Sequence, residues 1–260
     1  MISIFDYTAQ QLQTFLLILL RVSGILIAAP IFGHQAVPRQ IKIGLALILS
    51  FILVPLTSTV AVNFPQEIIP LGFFLAKELI AGLFIGFAFL LIFLGVQMGG
   101  SIVGLQIGFG LVSIFDPQSQ EQISVIGELQ FLLAMLFFLA INGHHILISS
   151  IFQSFKIIPP GAIQFSSLAA EKMVSMMAMS FVIAIKIAAP LLVTLFLTDV
   201  ALGIIARTMP QMNVFIVGFP LKIGVGLLML VFTLPLFSLI LEKLIMNLDL
   251  DVGWLINYLS

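Results

Sequence analysis

Polar residues are so sparse along this chain that they punctuate it instead of alternating with the apolar ones. Apolar runs occupy residues 12–32, 43–62, 68–96, 123–151, 173–198 and 214–241, each near or above the roughly 20 residues that cross a hydrocarbon core of about 30 Å. None shows the period-two alternation of a barrel strand, and all are too long to be one, so the pattern predicts six long helices and an all-α fold. Backbone groups without water to bond are satisfied only in a helix or a closed barrel, which leads to the same answer. Pro30, Pro55, Pro190, Pro220 and Pro235 lie within or near the ends of these runs. Each removes an amide donor, so hydrophobic helical hairpins with kinked and broken helices are expected. Pro38, Pro65, Pro70, Pro117, Pro159, Pro160 and Pro210 mark the connections, the longest of them near 152–172.

The pattern fails in one place. Over residues 99–121, GGSIVGLQIGFGLVSIFDPQSQE, the chain becomes glycine-rich and then polar. Residues 102–115, about 14 in number, are too few to cross alone and fall in the range of a re-entrant or interfacial segment. Gly104, Gly108 and Gly110 lower the cost of unusual backbone angles, while Ile107, Phe109, Leu111, Ile114 and Phe115 keep the segment apolar. Irregular backbone at membrane depth survives only against protein or a water-filled cavity. The segment is therefore expected to face an interior, either as a movable stopper or as a buried turn between two helices.

Composition fixes the class. Hydrophobic residues make up 61% of the 260 and charged residues 8%, with a mean hydropathy of +1.27, far from the roughly 45–50% apolar and about 25% charged norm of soluble domains. This is a membrane-type chain in contact with lipid. A net charge of −1 offers no basic surface for nucleic acid. With no cysteine, disulfides, thiol catalysis and thiolate metal sites are absent. The N-terminus carries Asp6 and no basic region ahead of its apolar run, and Arg21 interrupts that run, so a retained first helix is expected over a cleaved signal peptide. Loop charges leave orientation open: on six helices, Arg39, Lys42 and Arg207 fall on one side and Lys156, Lys172 and Lys243 on the other.

Small residues and embedded charges are the remaining signals. Gly82 and Gly86 form a GxxxG pair, and Gly100, Gly104 and Gly108 continue the four-residue spacing, which lets two backbones approach. Packing within the chain and contact with another subunit are both open. Arg21, Lys77, Glu78, Glu128, Lys186 and Asp199 lie inside apolar runs, where each charge costs on the order of 2.5–3.5 kcal/mol at a bilayer centre. Lys77 and Glu78 are adjacent and point about 100° apart on a helix, so each needs a partner elsewhere. Asp199 and Arg207 share a helical face. Structural pairing, pairing across subunits and an ion route are the three readings.

Catalysis and metal binding find no support. His144 and His145 are neighbours, diverging on a helix, and His34 is the only other histidine. HExxH, GxSxG, P-loop and dinucleotide-binding motifs are all missing, so neither an enzyme nor a cofactor is expected. Met173, Met176, Met177 and Met179 fit adaptable core packing or a deformable seal.

The stretch GLQIGFGLVSIFDPQSQEQISVIGELQFLLAMLFFLAINGHH, with RVSGILIAAPIFG, VPRQIKIGLAL and KELIAGLFIGF upstream, resembles the FliR/SctT family of type III export-gate proteins over most of the chain. DPQSQ at 116–120 is closer to the flagellar branch than to the virulence branch. From Pro190 onward the sequence is also similar to the helical hairpin of FliQ, from which it departs at the hairpin turn. The resemblance implies one export-gate domain over 1–260, with a FliP-like part at 1–172 and a FliQ-like C-terminal hairpin at 173–260. It further implies a non-enzymatic subunit, without cofactor, that assembles with FliP and FliQ into a cone-shaped gate passing unfolded export substrates. FlhB and FlhA are its implied neighbours, and the bacterial inner membrane at the flagellar basal body its implied location. In that family the loop after the glycine stripe plugs the closed pore, which maps here onto Gln106, Ile107, Gly108, Phe109, Gly110, Leu111, Ile114, Phe115, Asp116 and Pro117. Family members also hold such helices largely above the membrane plane, which would account for the undecided loop charges. A polytopic solute or ion transporter is the competing reading, although the inverted repeats that would mark it are missing.

Overall fold

A computed structural model describes residues 4–57, 64–109, 124–211 and 213–260. Among them are seven helices and no strand: α1 (Ile4–Ala28), α2 (Arg39–Thr57), α3 (Ile68–Ile107), α4 (Val125–Ala140), α5 (Gly143–Ile157), α6 (Ser167–Thr208) and α7 (Val214–Tyr258). Five of these, α1, α2, α3, α6 and α7, are long and apolar enough to cross a membrane.

Two expectations change. The run at 123–151 is not one helix: it breaks at Ile141 and Asn142, and Asn142 takes a left-handed conformation with φ 59° ahead of α5. Asparagine visits that region more readily than other non-glycine residues. In addition, residues 102–107 are not a separate short segment. They are the last turns of α3, which runs for 40 residues straight through Gly99, Gly100 and Gly104. Glycine inside a helix costs about 1 kcal/mol, and here close helix packing offsets it, as described below. The helical pattern ends at Gly108, whose φ of 109° is open to glycine and strained for other residues.

Local chemistry explains the other ends. Ser124 caps α4, its hydroxyl accepting from the Gly127 N–H at 3.2 Å, and Glu128 sits in the first turn, where the helix dipole favours an anion. Ser166 caps α6 in the same way, accepting from the Ala169 N–H. Pro30 follows the end of α1, whereas Pro55, Pro190, Pro220 and Pro235 lie inside helices.

The chain forms two compact units. The first comprises Met1–Leu91, Asn142–Met177 and Ile245–Ser260; the second comprises Ile92–Ile141 and Ala178–Leu244. In the first, Leu17, Ile18, Val22 and Ile25 form the buried stripe of α1, with Ala81, Ile85 and Ala88 of α3 and Leu147 and Ile151 of α5 also in the core. Helix α1 lies against α2, and α2 against α5. Gly24, Gly82 and Gly86 bring the α1 and α3 backbones together. A Cβ on Gly24 would stand 2.6 Å from the Leu79 carbonyl oxygen, and one on Gly82 or Gly86 would strike the carbonyl of Arg21 or Ile25.

In the second unit α3 presents small residues on two sides. Gly95 and Gly99 meet the Ser180 and Ala184 carbonyls of α6, while Gly100 and Gly104 meet Gly127 and Ser124 at the start of α4. Phe93 stacks edge-on against Phe131 and Phe138. The α6 and α7 stretches here run in opposite directions, since Asp199 pairs with Lys222 and Leu202 touches Gly218.

Candidate functional site

Among the described residues, two polar clusters stand out in the apolar surroundings, one fully buried in the first unit and one half-buried in the second. In the first unit Arg21 and Glu78 are completely buried. Arg21 Nε donates to Glu78 Oε2 at 2.7 Å and Nη2 donates to Oε1 at 3.1 Å, a bidentate pair. Nη1 donates to the carbonyls of Ser154 at 3.0 Å and Ile158 at 2.9 Å, and Nη2 to that of Pro159 at 3.5 Å. All five guanidinium protons are thereby used. Glu78 Oε1 also accepts the Gly161 N–H at 2.6 Å, and the guanidinium carbon sits 4.3 Å from the centre of the Phe155 ring. The cluster fastens α1, α3 and the turn after α5 together. A charge pair this deep is tolerable only because every donor is satisfied.

The second cluster lies at the C-terminal end of α3. Gln106 Nε2 donates to Asp199 Oδ2 at 3.1 Å, and the other Asp199 oxygen pairs with Lys222 of α7. One residue on, Ile107 is fully buried among Val103, Ile126, Ala188, Leu191, Leu195 and Leu230. Gly226 leaves room for it, since a Cβ there would meet the Ile107 side chain at 2.6 Å. Gly108 lies under the Phe219 ring, and Phe109 packs on the same core. The last described turn before residue 110 is thus held by a hydrogen bond to α6 and by packing against both α6 and α7.

The sequence-predicted residues are distributed as follows. Gln106, Ile107, Gly108 and Phe109 are gathered at this end of α3, while Gly110, Leu111, Ile114, Phe115, Asp116 and Pro117 lie outside the described residues. Gly82 and Gly86 face α1; Gly100 and Gly104 face α4. Among the embedded charges, Arg21 and Glu78 pair with each other, and Glu128 accepts from Gln97 Nε2 at 3.1 Å. Asp199 joins Lys222 and Gln106, not Arg207, which is exposed. Lys77 and Lys186 are exposed, with no ion-pair partner among the described residues. Met173 and Met176 are buried, whereas Met177 and Met179 are exposed. His144 and His145 rings lie 4.3 Å apart, and among the described residues no group of acidic or histidine side chains could hold a metal ion.

Lys222 is the member sequence reasoning missed. It is an embedded charge two residues after Pro220, and the same cost argument singles it out. Gly24 and Gly95 were equally accessible as partners of known small-residue positions. The carbonyls of Ser154, Ile158 and Pro159 carry no side-chain signal.

Comparison with known proteins adds the biological context. Residues 12–248 match the family model described as bacterial export proteins, family 1. The chain is 36% identical over 234 residues to the flagellar biosynthetic protein FliR of Bacillus subtilis, covering 88% of this chain and 89% of that one. It is 31% identical over 242 residues to the FliR of Escherichia coli, covering 90% of each, and 30% identical over 232 residues to the FliR of Aquifex aeolicus, covering 89% of each.

Proposed function

Because this chain belongs to the bacterial export proteins, family 1, we propose that it is a non-enzymatic subunit of the flagellar type III protein export gate. In this role it assembles with FliP and FliQ, has FlhB and FlhA as neighbours, and sits at the inner membrane in the flagellar basal body. The observation that carries the reading is similarity to FliR proteins along nearly the whole of both chains. It is supported by the exposed apolar faces of α6 and α7, including Phe181, Phe196, Phe232 and Trp254, which need lipid or partner protein to cover them.

Residues 106–117 are the pore plug of this proposal. Their described members, Gln106 to Phe109, are held against the core of the second unit. Shortening the chain within 110–115 leaves Ile107 and the Asp199 cluster in place. Such a variant is expected to assemble normally and to pass small solutes that the unaltered gate excludes, read as ion conductance of the assembled complex. Unchanged closure contradicts the plug role.

A further inference from the structure

Lys186 stands near the middle of α6, a helix of 42 residues, and its ammonium group has no carboxylate within the chain's described residues. Its surroundings are apolar along the helix face. Met179, Val182, Val193 and Leu197 are exposed at spacings that place them above and below it, and Ile185 beside it is exposed too. Beside it lies a narrow cleft of about 20 Å³ lined by Gln130, Pro190, Leu230 and Phe237, in which the Gln130 Oε1 is buried without a hydrogen-bond partner. A single cation therefore stands on an otherwise apolar, exposed helix face.

From this juxtaposition we infer that Lys186 is a docking point for another subunit: an apolar helix that places one Asp or Glu carboxylate against the ammonium group. The inference rests on the gate-subunit reading only in that some partner must cover this face. Charge complementarity selects the occupant. A lone cation in such surroundings is costly until paired, and one acidic side chain on an apolar helix neutralises it while the flanking residues pack. A phospholipid headgroup fits less well: drawn to Lys186, it would lie on Val182, Ile185 and Val193, where nothing polar meets its remaining oxygens.

The test places a photo-cross-linking amino acid at Ile185 in the full chain, in cells, and identifies the captured peptide by mass spectrometry. The expected capture is an apolar helix with an Asp or Glu within one turn of the cross-link. Lys186→Glu should lower its yield by about tenfold or more, and exchanging that acid for Lys should restore it. Lys186→Gln, a milder change, should weaken capture in the same direction, and Lys186→Arg should preserve it. Capture of lipid alone, of a helix with no acid nearby, or of the same peptide at undiminished yield from Lys186→Glu and Lys186→Gln overturns the inference. If the captured acidic helix belongs to neither FliP nor FliQ, the docking point stands and their proposed place against α6 falls.

Discussion

Arg21 decides the stability of the first unit because its five hydrogen bonds, the one to Pro159 included, join segments up to 138 residues apart. Arg21→Met leaves Glu78 charged, buried and missing its bidentate partner, which costs about 3–5 kcal/mol. The expected outcome is a sharp loss of protease resistance and a lower thermal midpoint in detergent. Arg21→Lys should recover little, because an ammonium cannot reproduce the planar fork. Wild-type stability of either variant contradicts the assignment. Glycines give a matched contrast: Gly24→Ala pushes a Cβ into the backbone of Leu79 and Leu83, costing about 1–3 kcal/mol, whereas a Cβ on Gly44 of α2 meets nothing. Gly44→Ala should be neutral or stabilising by up to about 1 kcal/mol, and thermal melts of the two variants side by side separate them. The sequence made Arg21 and Glu78 conspicuous as charges in apolar runs. Their pairing stayed hidden because it depends on the register between α1 and α3, and the carbonyls that complete the site belong to residues chosen for other reasons.

At the scale of elements, helix identity was legible from apolar length, and the errors came where local backbone chemistry outweighed that length. The 123–151 run reads as continuous, yet Asn142 adopts φ 59° and divides it. Asn142→Gly is expected to keep or slightly raise stability, while Asn142→Val should cost about 1–2 kcal/mol, because a β-branched residue resists the left-handed region. Equal melting temperatures for the two would contradict a conformational role. The glycines at 99–104 read both as a break and, at Gly100 and Gly104, as a stripe for close backbone approach. In the structure they are contact points through which α3 approaches α6 and α4, and which helices they meet needs the neighbours to be visible. Gly108, one residue past the end of α3, combines glycine with a positive φ. Gly108→Val should therefore disturb the end of α3 far more than Gly224→Val, which enters open space on α7. Limited proteolysis after α3 is the measurement that tells them apart.

For the molecule as a whole, apolar composition announced a membrane-type chain, and the folded units leave much apolar surface uncovered. Large side chains such as Phe51, Ile68, Phe73, Phe181, Phe232 and Trp254 remain exposed, and embedded Lys77 and Lys186 remain without ion pairs among the described residues. The division into two compact units could not be read from the sequence, since each gathers separate stretches of the chain and the long helices α3, α6 and α7 contribute to both. A gate subunit with these surfaces should purify poorly by itself and become monodisperse in the company of its partners. The most direct measurement is co-expression of the full chain with the FliP and FliQ of the same bacterium, followed by affinity purification on this chain and electron-microscopic imaging of what is recovered. A defined complex containing all three proteins, with this chain lining a central pore, is the predicted result. A stable, monodisperse homo-oligomer of this chain that forms its own pore and retains neither partner would contradict it.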